Sequence, residues 1–320
     1  MTSQISDYNY CKPRPTYGKN LIYLDKVIVF LLLFVTVLSP NLAATETTPI
    51  TVRILADNLQ QDSSINYFRV LLVEALDATV NDFGPYKIKQ VNFEFSQDRS
   101  LQMLKRKNAL DVMHTMSSSE REHEFLAVKI PLLKGLMGKR MLFIRNDRKA
   151  EFDQITIARQ LKQKVACQGL HWPDSDILEA NYFKVARVVI FESMFEMLEK
   201  GRCDYFPRGI HEIQPEYNNF VEKHPSLAVA DNLMISYPAP VYYFLGKHNT
   251  ELGRRITEGL ERLIASGRFD QLMQKNPLTA HLFPLSKWRE TRIFSIPNPD
   301  LPELSPTDRP ELWLDLGSQN

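Results

Sequence analysis

Gln168, Gly169, Trp172 and Arg208 are the residues in this chain best placed by type and spacing to hold a small molecule. The run KVACQG (Lys164–Gly169) is short, apolar and stops at a glycine, while GRCDYFPRG (Gly201–Gly209) stops just after Pro207 and Arg208. A glycine at a strand end lets a ligand come close to the backbone. Trp172 offers a face for stacking or for core packing. The guanidinium of Arg208 suits a carboxylate, either on a ligand or on Glu212 one turn later.

These residues are positioned by an alternation. Between the two runs lie an amphipathic segment, the β-branched run KVARVVIF (Lys184–Phe191) and a second amphipathic segment. Strand, helix, strand, helix, strand is the order of a parallel α/β sheet, and such sheets bind ligands at the carboxyl ends of their strands. Earlier in the chain, ITVRILADN (Ile50–Asn58) and YKIKQVNFEF (Tyr86–Phe95) read as strands. Between them Phe68, Leu71, Leu72, Ala75 and Leu76 share one helical stripe. A strand from Asp111 runs into SSSEREHE, where Ser117 and Glu120 have the spacing of a capping box. KRMLFIRND (Lys139–Asp147) is a further apolar strand.

With 320 residues, 44% hydrophobic and 24% charged, the chain has room for two compact domains. Its net charge of +1 provides no electrostatic footprint for nucleic acid. Residues 1–44 read as a signal peptide. The apolar run Val27–Leu38 is shorter than the ~20 residues of a membrane span, and Ala43–Ala44 offers a small-residue cleavage site. Export to the periplasm follows from that reading, with a retained anchor as the alternative. Cys11 leaves with the signal. Cys167 and Cys203 are expected to be free, buried thiols, because adjacent strands bearing them would hold them about 10 Å apart.

Four segments in order resemble bacterial extracellular solute-binding proteins of the amino-acid-binding type. They are ALDVMHTMSSSEREHEFLAVKIPLLKGLMGKRMLFIR, KVACQG, GRCDYFPRG and YPAPVYYFLGKHNTELGRRITEGLERLIASGRFDQLM, together spanning about Ile50 to Asn276. The resemblance implies a two-lobed clamshell, each lobe a mostly parallel α/β sheet flanked by helices, with hinge strands near Arg140–Asn146 and Val241–Lys247. Residues 50–143 plus 247–292 would form lobe one, and 146–240 lobe two. Residues 293–320 are left as a proline-rich tail, which Leu312 and Trp313 could pin to a lobe.

The same resemblance places Arg121 where the family binds a ligand carboxylate, against a surface pairing with Glu122 or Glu124. Ser117 and Ser118 would donate to that anion or cap the helix, and Asp57 and Asn58 would face the cleft or serve turn chemistry. Family members often carry an acidic residue where this chain has Arg208. Two arginines on opposite walls would favour a diacid, or a carboxylate without an amine. The expected function is capture of a small carboxylate-bearing ligand for the permease of an ABC-type transporter, with a clamshell that senses the ligand and reports it to a membrane receptor or signalling partner as the alternative. The chain is expected to be a monomer and not an enzyme; a lyase or dehydratase on the same fold is the remaining alternative. No cofactor or metal is called for: the seven histidines have no paired spacing, and there is no glycine-rich phosphate loop.

Overall fold

The computed structural model describes residues 48–56, 64–93 and 96–316. The apolar leader, Cys11, Asp57 and Asn58 lie outside the described residues. No helix among the described residues is long and apolar enough to cross a membrane.

The first lobe is assembled around β1 (Ile50–Leu55), which pairs in parallel with β2 (Tyr86–Val91). A bridge from Ile54 to Val112 leads to β3 (Met113–Met116), and β10 (Val241–Leu245) runs antiparallel between β3 and β4 (Leu126–Val128). Helix Ser64–Asp77 lays its stripe of Phe68, Leu71, Leu72, Ala75 and Leu76 into the core, all buried as their spacing requires. Helix Thr250–Ala265 packs against it and stops at Gly267, before helix Arg268–Lys275 turns back.

In the second lobe β6 (Val165–Gly169) pairs in parallel with β7 (Lys184–Val188). A parallel bridge from Ala166 to Tyr205 joins β6 to the chain entering β8 (Phe206–Gly209). β5 (Lys139–Arg145) then runs antiparallel to both β8 and β9 (Leu227–Ser236). Both sheets are therefore mixed. β5 and β10, the strands that follow passage from one lobe to the other, oppose their neighbours.

The two passages lie side by side. One is Leu136–Gly138, leading into β5; the other is Tyr237–Pro240, between β9 and β10. Tyr237 N donates to Gly138 O at 3.0 Å, and a Cβ on Gly138 would sit 1.8 Å from Tyr237 O. Only glycine permits that approach.

Two expectations change. Cys167 and Cys203 form a disulfide, with Cα atoms 5.6 Å apart. Cys203 does not begin a strand; it lies in the turn before β8, which doubles back so that Cys167 N donates to Tyr205 O at 2.8 Å. The C-terminal segment is also more than an extended tail. Arg292–Ser295 forms β11, parallel to β9, and Leu312 and Leu316 are buried in the core.

Candidate functional site

Between the lobes lies a cleft enclosing about 500 Å³, in the range of small-molecule sites. On its first wall, helix Ser119–Glu124 presents Arg121 from its first turns. Ser118 is the N-cap and accepts from Arg121 N at 3.2 Å, so the cap falls one residue after the Ser117 expected from spacing. Ser117 instead donates to Glu122 Oε1 at 2.6 Å. Neither serine lines the cleft; Arg121 does.

The Arg121 guanidinium is 7% exposed and already well partnered. Nη1 donates to Thr115 Oγ1 at 2.9 Å and Met116 O at 2.8 Å, and Nη2 to Gln97 Oε1 at 3.1 Å and Asp98 Oδ1 at 3.2 Å. Burial lowers its pKa, opposed by Asp98 and by Asp174 on the other wall. It stays cationic throughout the physiological range. The alternative pairing with Glu122 or Glu124 is absent, since those carboxylates bind Lys129 and Lys105. His114 shares this wall, stacked on Phe68 at 3.8 Å, and burial holds its pKa down to about 4.

On the second wall, Trp172 and Arg208 line the cleft, whereas Gln168 and Gly169 do not. Gly169 makes room for a neighbour: a Cβ there would meet Trp172 Cδ2 at 2.3 Å. Its carbonyl accepts from Ser175 Oγ at 2.7 Å, fixing the start of helix Pro173–Ala180. Gln168 is wholly buried, and its amide has no protein partner. Trp172 is half-buried, with the Arg208 guanidinium 5.0 Å from its ring centroid and 5.3 Å from that of Phe191.

Arg208 is held through Nε and Nη2. Nε and Nη2 bind Glu216 at 2.7 and 2.5 Å, and Nη2 also reaches Glu212 Oε1 at 2.9 Å. Burial would favour the neutral form, but the two carboxylates outweigh it and raise its pKa. Glu212 is the reciprocal case: burial pushes its carboxyl up, while Arg208, His211 and Arg140 hold it below the usual range.

Beneath these lies a buried cluster that sequence reasoning missed. Arg140, 1% exposed, binds Asp174, donates from Nε to Tyr237 Oη at 3.1 Å, and approaches Glu212 Oε2 at 3.4 Å. Tyr237 donates to the same Asp174 oxygen as Arg140. His211 is buried beside them, its Nδ1 unpartnered, with burial lowering its pKa to about 4. The available signals were an arginine inside an apolar strand, and acids at Glu212 and Glu216 one and two turns after Arg208.

The two walls differ in charge. Lobe one contributes Arg69 and Arg121 to the lining. Lobe two contributes Asp174, Glu192, Glu212 and Glu216 against Arg140 and Arg208. The second wall therefore sets three acids, Asp174, Glu212 and Glu216, against Arg140 and Arg208, opposite a first-wall Arg121 whose Asp98 counter-ion is 45% exposed. No group of three or more His, Cys, Asp or Glu residues able to hold a metal occurs among the described residues.

No family model and no curated protein matches this chain. Solved structures do match. One comes from work on glutathione import in Gram-positive bacteria via GshT and the cystine ABC importer TcyBC of Streptococcus mutans. It is 11% identical, covers 72% of this chain and 95% of its own, with a TM-score of 0.52. A Salmonella typhimurium periplasmic binding protein of high arginine specificity is 13% identical over 72% of this chain and 99% of its own, with a TM-score of 0.49. The chain shares its fold with the first of these, and that fold is a two-lobed clamshell, as the sequence resemblance implies.

Proposed function

We propose that this chain is an exported solute-binding protein that captures a small amino-acid-like zwitterion by lobe closure and delivers it to a membrane permease. The opposed polarity of the walls carries this reading. A ligand carboxylate would replace Asp98 on Arg121, a bidentate acceptor exchanged for a half-exposed monodentate one. A ligand ammonium would face the Glu212 and Glu216 carboxylates, which with Asp174 are three acids shared by only Arg140 and Arg208. Trp172 and Phe191 would cover its apolar part.

A diacid fits this cleft poorly, because Arg208 is already held on two sides by Glu216 and Glu212. The acidic partner expected at the position of Arg208 is supplied one and two turns later. Binding is favoured over catalysis because Asp174, Glu212 and Glu216 are each bound to an arginine rather than poised as bases. Ligand contact with both lobes stabilises the closed form, the general device of hinge closure for which periplasmic binding proteins are an established example.

A thermal-shift screen against amino acids, dicarboxylates, sugars and polyamines tests the reading. A ligand at one hundred times its Kd stabilises a fold by about 2.7 kcal/mol. The expected result is a shift with one or more zwitterions that Arg121→Ala abolishes. A shift with sugars alone, or with dicarboxylates in preference to amino acids, would overturn it.

A further inference from the structure

Besides the two passages at Leu136–Gly138 and Tyr237–Pro240, the C-terminal chain crosses between the lobes twice more. It leaves helix Pro277–Ala280 on lobe one and joins lobe two as β11. There Arg292 donates to Ile155 O at 2.6 Å and Asp153 O at 2.8 Å, and Asn181 Nδ2 donates to Pro297 O at 2.8 Å. The chain then runs over a passage, where Asn298 Nδ2 donates to Pro238 O at 2.8 Å.

By Asp300 it is back on lobe one, accepting from Ser119 N and Oγ, each at 3.3 Å. Further on, Arg309 grips Glu261 with two hydrogen bonds of 2.6 and 2.9 Å, and Leu312 is buried. Leu314 N donates to Lys134 O at 2.8 Å, and the Trp313 ring lies over Gly135 at the head of the first passage. The last lobe-two anchor, Pro297, and the first lobe-one anchor, Asp300, are so close in sequence that the chain between them reaches at most about 11 Å.

We propose that residues 292–316 form a brace across the hinge, which restricts the range of angles the lobes adopt. Two passages alone leave a clamshell free to rock about them. A third tie, anchored on both lobes and seated on both passages, restrains that rocking, because wider opening must break the Asp300–Ser119 contact or pull Pro297 from Asn181.

Spin labels at Glu251→Cys on lobe one and Tyr182→Cys on lobe two, both exposed, report the lobe-to-lobe distance in the full chain with Cys11→Ser. Cys167 and Cys203 are bridged and take no label. A protease site inserted beside the exposed Pro299, between the anchors at Pro297 and Asp300, allows the brace to be cut after folding. The uncut protein is expected to give a narrow distance distribution. Cutting should broaden it and shift it to longer distances with circular dichroism unchanged, and Asn298→Ala with Asp300→Ala should shift it in the same direction. An unchanged distribution after complete cutting would overturn the proposal, and that result does not depend on whether the substituted chain folds.

Discussion

Gly169 and Trp172 share one space: the indole ring lies where a side chain on Gly169 would be, 2.3 Å from an ideal Cβ. The strand end therefore serves the cleft indirectly, by letting Trp172 fold back under Arg208. Gly169→Ala is expected to push the indole toward the cleft. Overpacking of this kind costs about 1–3 kcal/mol. Denaturant unfolding measures the loss, and intrinsic fluorescence, compared with a Trp172→Phe control, reports the displaced ring.

Arg140 and Asp174 are each almost wholly buried, so removing Arg140 leaves a buried Asp174 carboxylate with the Tyr237 hydroxyl in place of its ion pair. Arg140→Met should cost about 3–5 kcal/mol. Adding Asp174→Asn to that variant should recover part of the loss, since the stranded carboxylate is gone. Urea unfolding of the single and double variants checks this, and equal stability of the two would show that the pair is not the source of the effect.

Acid should destabilise the protein before its carboxylates titrate. His211 has a pKa near 4 when folded against 6.5 ordinarily, so between those values the unfolded chain binds more protons. Its contribution is complete above pH 6.5, falls as pH drops, and is exhausted near pH 4. A depression of this size corresponds to something on the order of 3 kcal/mol. Glu212, Arg140 and Arg208 face the ring, and His281 lies near it. His211→Gln should make the stability profile shallower between pH 6.5 and 4, with His114 keeping its own share of the slope, as followed by unfolding at fixed pH.

Asp98 competes with any carboxylate for Arg121. The pair is partly exposed, and such pairs contribute ~0.2–1 kcal/mol. Asp98→Asn should therefore tighten binding of a carboxylate ligand by up to about fivefold. Calorimetric titration with the ligand found by thermal shift measures the change, and weaker binding would indicate that Asp98 orients the guanidinium instead.

The Cys167–Cys203 bridge closes a loop of sequence separation 36. A loop of that length confers about 4 kcal/mol on chain-entropy grounds. Cys167→Ser with Cys203→Ser should lower stability by that order, and reduction of the native protein should reproduce the loss.

The regular elements were legible because each carries its period in a short window. The stripe from Phe68 to Leu76 and the β-branched run at Lys184 are local patterns that burial converts into a helix and a strand. Arg121 was legible through resemblance, Trp172 through its place after a strand end and Arg208 through its place at one. What escaped depended on distant partners. Arg140 reads as an intrusion in an apolar strand until Asp174, Tyr237 and Glu212 close around it. Glu216 carries no signal of its own, and only the meeting with Arg208 gives it a place in the site. The disulfide required the path of the turn before β8, and no pairwise spacing encodes that path.

β11 has one more consequence, for the behaviour of shortened chains. It covers Leu233–Ser236 of β9, the outer rim of the second sheet. A chain ending before Arg292 would leave that rim's backbone donors and acceptors open to solvent, flanked by the apolar side chains of Leu233, Met234 and Ile235. Open rims of this kind recruit strands from other molecules. Trimming the C-terminus back to the last helix would therefore bare an edge at which chains aggregate strand to strand.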